Sequence, residues 1–113
     1  MLRSDDTVPM RRMLDHAREI VAMVHGRTRQ DLDSDRMFQL AMTRLIEIIG
    51  EAMSRVTAAG HGQYPEIPWP EIVNTHNRII HEYDAVNYDE VWDIATLAVP
   101  ALIAALERAP REH

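Results

Sequence analysis

The sequence predicts an all-α fold: an up-and-down bundle of four main helices, one domain over residues 1–113 with its core at about 9–108. Three observations carry this. Apolar residues recur at three- and four-residue spacing along nearly the whole chain, the period of an amphipathic helix. Capping residues, glycines and prolines divide that pattern into four stretches. The connections between stretches are short, which favours antiparallel neighbours.

The first helix opens near Pro9, which suits an early helical position because it has no N–H to leave unpaired. Met10, Met13, Leu14, Ala17, Ile20, Val21 and Val24 form its apolar stripe, and Gly26 supplies a stop. The second begins among Asp31, Asp33, Ser34 and Asp35, whose carboxylates favour the positive end of a helix dipole, and runs to about Ala59. It carries two adjoining stripes: Met37, Ala41, Leu45, Ile48, Ala52 and Val56 beside Phe38, Met42, Ile46, Ile49 and Met53. A face this wide can serve more than one neighbour, a second subunit included. "GHGQYPEIPWPE" then reads as a turn-rich connection, because Pro65, Pro68 and Pro70 rule out a continuous helix. A third helix runs from near Pro70 to about Tyr83. The fourth starts at Asn87, which can cap it while Glu90 reaches back and Val86 packs on Val91 as a staple. Its stripe is Val91, Ala95, Ala98, Leu102, Ala105 and Leu106, and Pro100 should kink it.

Bulk composition narrows the function. At 113 residues the chain can bury a core but not enclose a deep pocket. With no cysteine it has neither disulfides nor thiolate zinc sites, which fits a reducing compartment. The N-terminus "MLRSDDTVPM" has no apolar segment of a secretory signal, and "IATLAVPALIAAL" is too short to span a bilayer. A soluble cytoplasmic protein without membrane association is the expectation. The formal charge is −6, and all 12 cationic residues are arginine. An acidic domain lacks the broad basic face that draws polyphosphates, so RNA chemistry would need a local arginine site.

The densest group of reactive side chains is "HNRIIHEYDAVNYDEVWDI", from His76 to Ile94. At about 100° per residue, His76 and His81 lie roughly 140° apart on one helix. Asn74, Asn77, Arg78 and His81 share a stripe, whereas His76 groups with Ile72, Val73, Ile79, Ile80 and Tyr83. Metal-binding histidines on one helix sit three or four apart, so this spacing argues against a metal, and nothing points to another cofactor. Taken alone, the residues also fit ordinary roles. His81 would be a helix-end histidine, His76 a helix–helix or subunit contact, and Arg78 the i, i+4 partner of Glu82.

The order of three segments adds a resemblance. "IIGEA" at Ile48–Ala52, "IPWPEI" at Ile67–Ile72 and the histidine–x–tyrosine block at His81–Tyr83 resemble the HepT toxin family of HEPN-domain proteins, over about Pro9–Arg108. The resemblance implies a bundle that forms a homodimer, with the motif helices of two subunits lining a shared cleft. It implies a metal-independent endoribonuclease acting on RNA. It also implies a small nucleotidyltransferase (MNT-type) antitoxin that silences the toxin by transferring AMP to the motif tyrosine. The family motif is arginine, four residues, histidine, one residue, tyrosine. Carried over, the histidine is His81, the tyrosine Tyr83, and the asparagine that often follows the arginine is Asn77. The arginine position holds His76, and Arg78 lies two residues later. Arginine offers permanent charge and a bidentate fork for phosphate; neutral histidine offers neither. Three outcomes stay open. His76 can act with His81 as an acid/base pair, across the dimer. Arg78 can supply the missing charge. Or catalysis is lost, leaving a non-enzymatic module that dimerises and binds the nucleotidyltransferase.

Overall fold

The computed structural model describes the backbone of residues 4–81 and 86–108, with all side chains there except those at 4, 5, 71, 75 and 79–81. The first helix, α1 (Ser4–Val24), starts one turn before the position that Pro9 suggests and holds Pro9 inside it. Asp6 accounts for the earlier start. It is fully buried, and its carboxylate accepts the Thr57 amide N–H at 2.8 Å and the Thr57 hydroxyl at 2.7 Å. That clasp fixes the first turn, and Pro9 forfeits only one helical hydrogen bond. Met10, Met13, Ala17 and Ile20 are buried as the stripe requires, while Val21 is 40% exposed. Gly26, at φ 75°, ends the helix in the left-handed conformation that only glycine adopts at little cost.

The second predicted helix is two helices, and a third follows where a turn-rich connection was expected. α2 (Asp31–Ser34) stops at Asp35, whose backbone is extended and whose side chain accepts the Phe38 N–H at 3.1 Å to cap α3 (Arg36–Ser54). α3 ends five residues short of Ala59. Asp6 takes up the amide of Thr57, so that N–H is lost to the ladder. Thr57 turns extended and caps α4 (Ala58–Gln63) by accepting the Gly60 N–H at 3.1 Å. The "GHG" sequence is therefore helical rather than a turn. His61 in α4 stacks on Trp69 with ring centroids 4.2 Å apart, and its Nε2 meets the Met53 carbonyl oxygen at 3.2 Å.

α5 (Trp69–His81) begins where Pro70 places it, and the Trp69 indole donates to the Tyr64 carbonyl at 3.0 Å. Asn87 caps α6 (Tyr88–Asp93) by accepting the Asp89 and Glu90 N–H groups at 3.0 and 3.3 Å. The helix then passes through a π segment, Ile94–Ala98, into α7 (Val99–Arg108). Pro100 lacks an N–H and its ring crowds the carbonyl four residues back. The chain answers not with a break but by widening, and the Val99 N–H bonds to the Ile94 carbonyl five residues back.

α3 lies at the centre, packed on α1 and α5, and α7 closes against α1. These rods bury Phe38, Met42, Ile46, Ile49 and Met53 from α3 against Ile72, Val91, Val99 and Leu102. Part of the wide α3 face stays uncovered: Met37 is 81% and Leu40 52% exposed. The architecture is the all-α bundle that the periodicity implies, and no strand occurs among the described residues. No helix among them is long and apolar enough to cross a membrane.

Candidate active site

α5 has an inner and an outer face, and the reactive residues divide between them. Ile72 is fully buried on the inner face, and His76, one turn on, is half-buried against α3. The contact is with Gly50. A Cβ there would collide with Cβ and Cγ of His76, so only glycine lets α5 lie this close. A glycine inside a helix costs roughly 1 kcal/mol relative to alanine, and this close approach offsets it. The His76 Nδ1 atom is buried with no hydrogen-bond partner.

Asn74, Asn77 and Arg78 are exposed on the outer face. The Arg78 guanidinium meets the Glu90 carboxylate of α6 in an ion pair, with the two side chains 49% and 34% exposed. The start of α6 is held three times over: by the Asn87 cap, by Glu90 on Arg78, and by Asp89, which accepts from Arg29 Nε at 2.7 Å. The Asp89 hydrogen bond is the main reason the Arg29 guanidinium is held above its already high ordinary pKa. Between α5 and the α6–π segment runs a groove of about 420 Å³ lined by Asn74, Arg78, Glu90, Asp93, Ile94, Leu97 and Ala98.

On α5, His76 and Arg78 are about 200° apart, so they point to opposite sides and do not meet within one protomer. The backbone of α5 closes at His81, in helical register with Asn77 and Arg78. The His81 side chain, with Glu82, Tyr83 and Asp84, lies outside the described residues. The structure thus brings Asn74 and Arg78 to one groove, places Asn77 on the same exposed face, and sets His76 apart on α3. Among the described residues no three histidine or carboxylate side chains gather to hold a metal ion.

Sequence reasoning missed Glu90 as the partner of Arg78, Gly50 as the seat of His76, and the contribution of Asp93 and Leu97 to a groove. Only Gly50 left a signal, as a glycine in the middle of an otherwise strong helix. A carboxylate that reaches from one helix to a residue of another has no fixed spacing to read.

A family model described as "Ribonuclease HepT-like" matches residues 13–109. Several relatives are named as putative RNases, two of them at 30% identity or more. One, from Methanocaldococcus jannaschii, is 30% identical over 95 residues, covering 84% of this chain and 78% of its own. The other, from Caldanaerobacter subterraneus subsp. tengcongensis, is 31% identical over 83 residues, 74% of each chain. A protein of Thermococcus cleftensis named "Probable ribonuclease HepT" is 29% identical over 99 residues, covering 84% of this chain and 90% of its own. No solved structure matches the chain. With nearly its whole length matched, the chain belongs to the HepT-like ribonuclease family.

Proposed function

We propose that the chain is the toxin of a toxin–antitoxin pair, a metal-independent endoribonuclease that works as a homodimer with the two α5 helices lining one cleft. The observation that supports this is the exposed pair Asn77 and Arg78, in helical register with the His81 backbone position, in a chain of a ribonuclease family. Such cleavage has the ribose 2′-oxygen attack the adjacent phosphorus. A base takes the 2′-OH proton, an acid protonates the departing 5′-oxygen, and positive charge steadies the phosphate between them. His81 is the acid/base group, Arg78 the phosphate partner and Asn77 a supporting hydrogen-bonder. His76 is the second proton carrier, acting with His81 across the dimer. The uncovered Met37 and Leu40 support a second copy, which the mass of the protein in solution checks. Tyr83 is the residue to which a partner nucleotidyltransferase transfers AMP. With that enzyme and ATP, peptides containing Tyr83 should gain the mass of one adenylate, and unchanged mass beside an active enzyme removes this route.

Purified wild-type protein should cut RNA in the presence of a chelator, and His81→Ala should slow cutting by about 10²- to 10⁴-fold. Cutting at the wild-type rate by His81→Ala would reject the assignment. A second reading has its own support: Glu90 already offsets the charge of Arg78, and His76 is packed against α3. On that reading the chain is a non-catalytic module that dimerises and binds the nucleotidyltransferase. Wild-type protein that leaves RNA intact and arrests no growth when expressed alone selects it.

A further inference from the structure

The groove beside Arg78 holds hydrogen-bonding capacity that the fold does not use. Glu90 is engaged by Arg78, but Asp93 and Asn74 have no hydrogen-bond or ionic partner among the described residues. Between them lies an apolar floor of Ile94, Leu97 and Ala98. Leu97, on the π segment, is 68% exposed, so its side chain is available to a ligand in the groove. The π segment presents it, and such segments recur at binding sites because the added residue re-aims the side chains around it. At about 420 Å³ the groove falls within the range of small-molecule sites, ~300–1,000 Å³.

The ligand that fits is flat, apolar on its faces, and rich in donors along one edge. With the Arg78 guanidinium paired to Glu90, the Asp93 carboxylate is the charge left over, and it favours a donor edge, while the Leu97 side chain suits the face of a ring. We propose that this groove is the subsite for a guanine base of the RNA substrate, read by Asp93; the inference rests on the ribonuclease reading of α5. Guanine presents N1–H and an N2–H side by side, and the two oxygens of one carboxylate accept both. Adenine and cytosine set a single amine beside a ring nitrogen that is itself an acceptor, so one carboxylate oxygen would face a lone pair. Uracil flanks its one N–H with two carbonyls. The Asn74 amide supplies a donor for the remaining guanine acceptors, O6 or N7.

The test is equilibrium binding of guanosine, adenosine, cytidine and uridine 5′-monophosphates to the full chain, followed by NMR titration. Guanosine monophosphate should bind about tenfold or more tighter than the other three, the scale of one good bidentate base contact. Asp93→Asn should abolish that preference, and Leu97→Ala should weaken all four nucleotides alike. Both side chains are exposed, and unchanged melting curves will confirm that the variants fold. Equal affinities, no binding of any nucleotide, or a guanine preference that survives Asp93→Asn would each overturn the proposal. Binding needs no cleavage, so the two readings separate. A chain that cuts RNA yet ignores guanine loses only the subsite. One that prefers guanine yet cuts nothing keeps the subsite and loses the nuclease.

Discussion

Arg78 and Glu90 decide the electrostatics of the outer α5 face. A guanidinium that pairs with a carboxylate must exchange that partner for a phosphate, and the exchange costs part of the attraction. Glu90→Gln should therefore raise the affinity for single-stranded RNA and steepen its salt dependence by about one phosphate contact. Titrations of labelled RNA at several salt concentrations measure both, and a slope identical to wild type would show that Arg78 does not reach the backbone. The sequence showed that Arg78 and His76 occupy different faces, because helical register alone sets that. It could not show what each face meets. Glu90 lies on α6 and Gly50 on α3, and neither has a fixed spacing from α5.

At the level of elements, the caps and stops were legible. Gly26, Asn87 and the Pro70 start all act locally, through backbone geometry or hydrogen bonds to the next few residues. The break between α3 and α4 was not, because it is made by Asp6 from 51 residues away. Periodicity carries straight through that break, and nothing in the local sequence opposes a continuous helix. Asp6→Ala would leave the part-buried Thr57 N–H without its partner and should destabilise the protein by about 1–3 kcal/mol, measured by denaturant unfolding. Proteolysis near Thr57 should quicken in the same variant. The Pro100 region stands between these cases: the disturbance was foreseeable, but a proline in the sequence does not say whether the helix breaks, kinks or widens into a π segment.

The molecule as a whole is a slab 45 × 30 × 19 Å, and its thinnest dimension is close to two helix diameters of ~10 Å. A body this thin keeps most of its charged groups in water, tied in surface pairs such as Arg18–Glu107, Arg27–Asp35 and Arg108–Glu66. Two of these contribute to its response to acid. The Asp35 carboxyl is held below the ordinary aspartate range, first by the Arg27 hydrogen bond and then by the Phe38 N–H. Glu66 is lowered first by its own backbone N–H and then by Arg108. A carboxylate with a depressed folded-state pKa stabilises the fold above its unfolded pKa, and that contribution fades as pH falls through the folded value. Melting temperature should therefore drop between about pH 5 and about pH 3. Asp35→Asn keeps a capping oxygen but removes the titration, so its melting temperature should fall less over the same interval.

The seat on Gly50 has a consequence for length rather than for charge. What it receives is the Cβ and Cγ of residue 76, and an arginine also has a carbon at each of these positions, with an unbranched methylene in place of the ring carbon. Where histidine leaves the unpartnered Nδ1, arginine would place a methylene, and its guanidinium could extend past the rim into water. His76→Arg should thus fold at least as stably as wild type, free of a buried polar atom that costs about 1–3 kcal/mol. It should also cut RNA faster. A variant that unfolds more easily would show that the imidazole is fitted to its slot; one that is stable but no faster would show that reach was never what the site lacked.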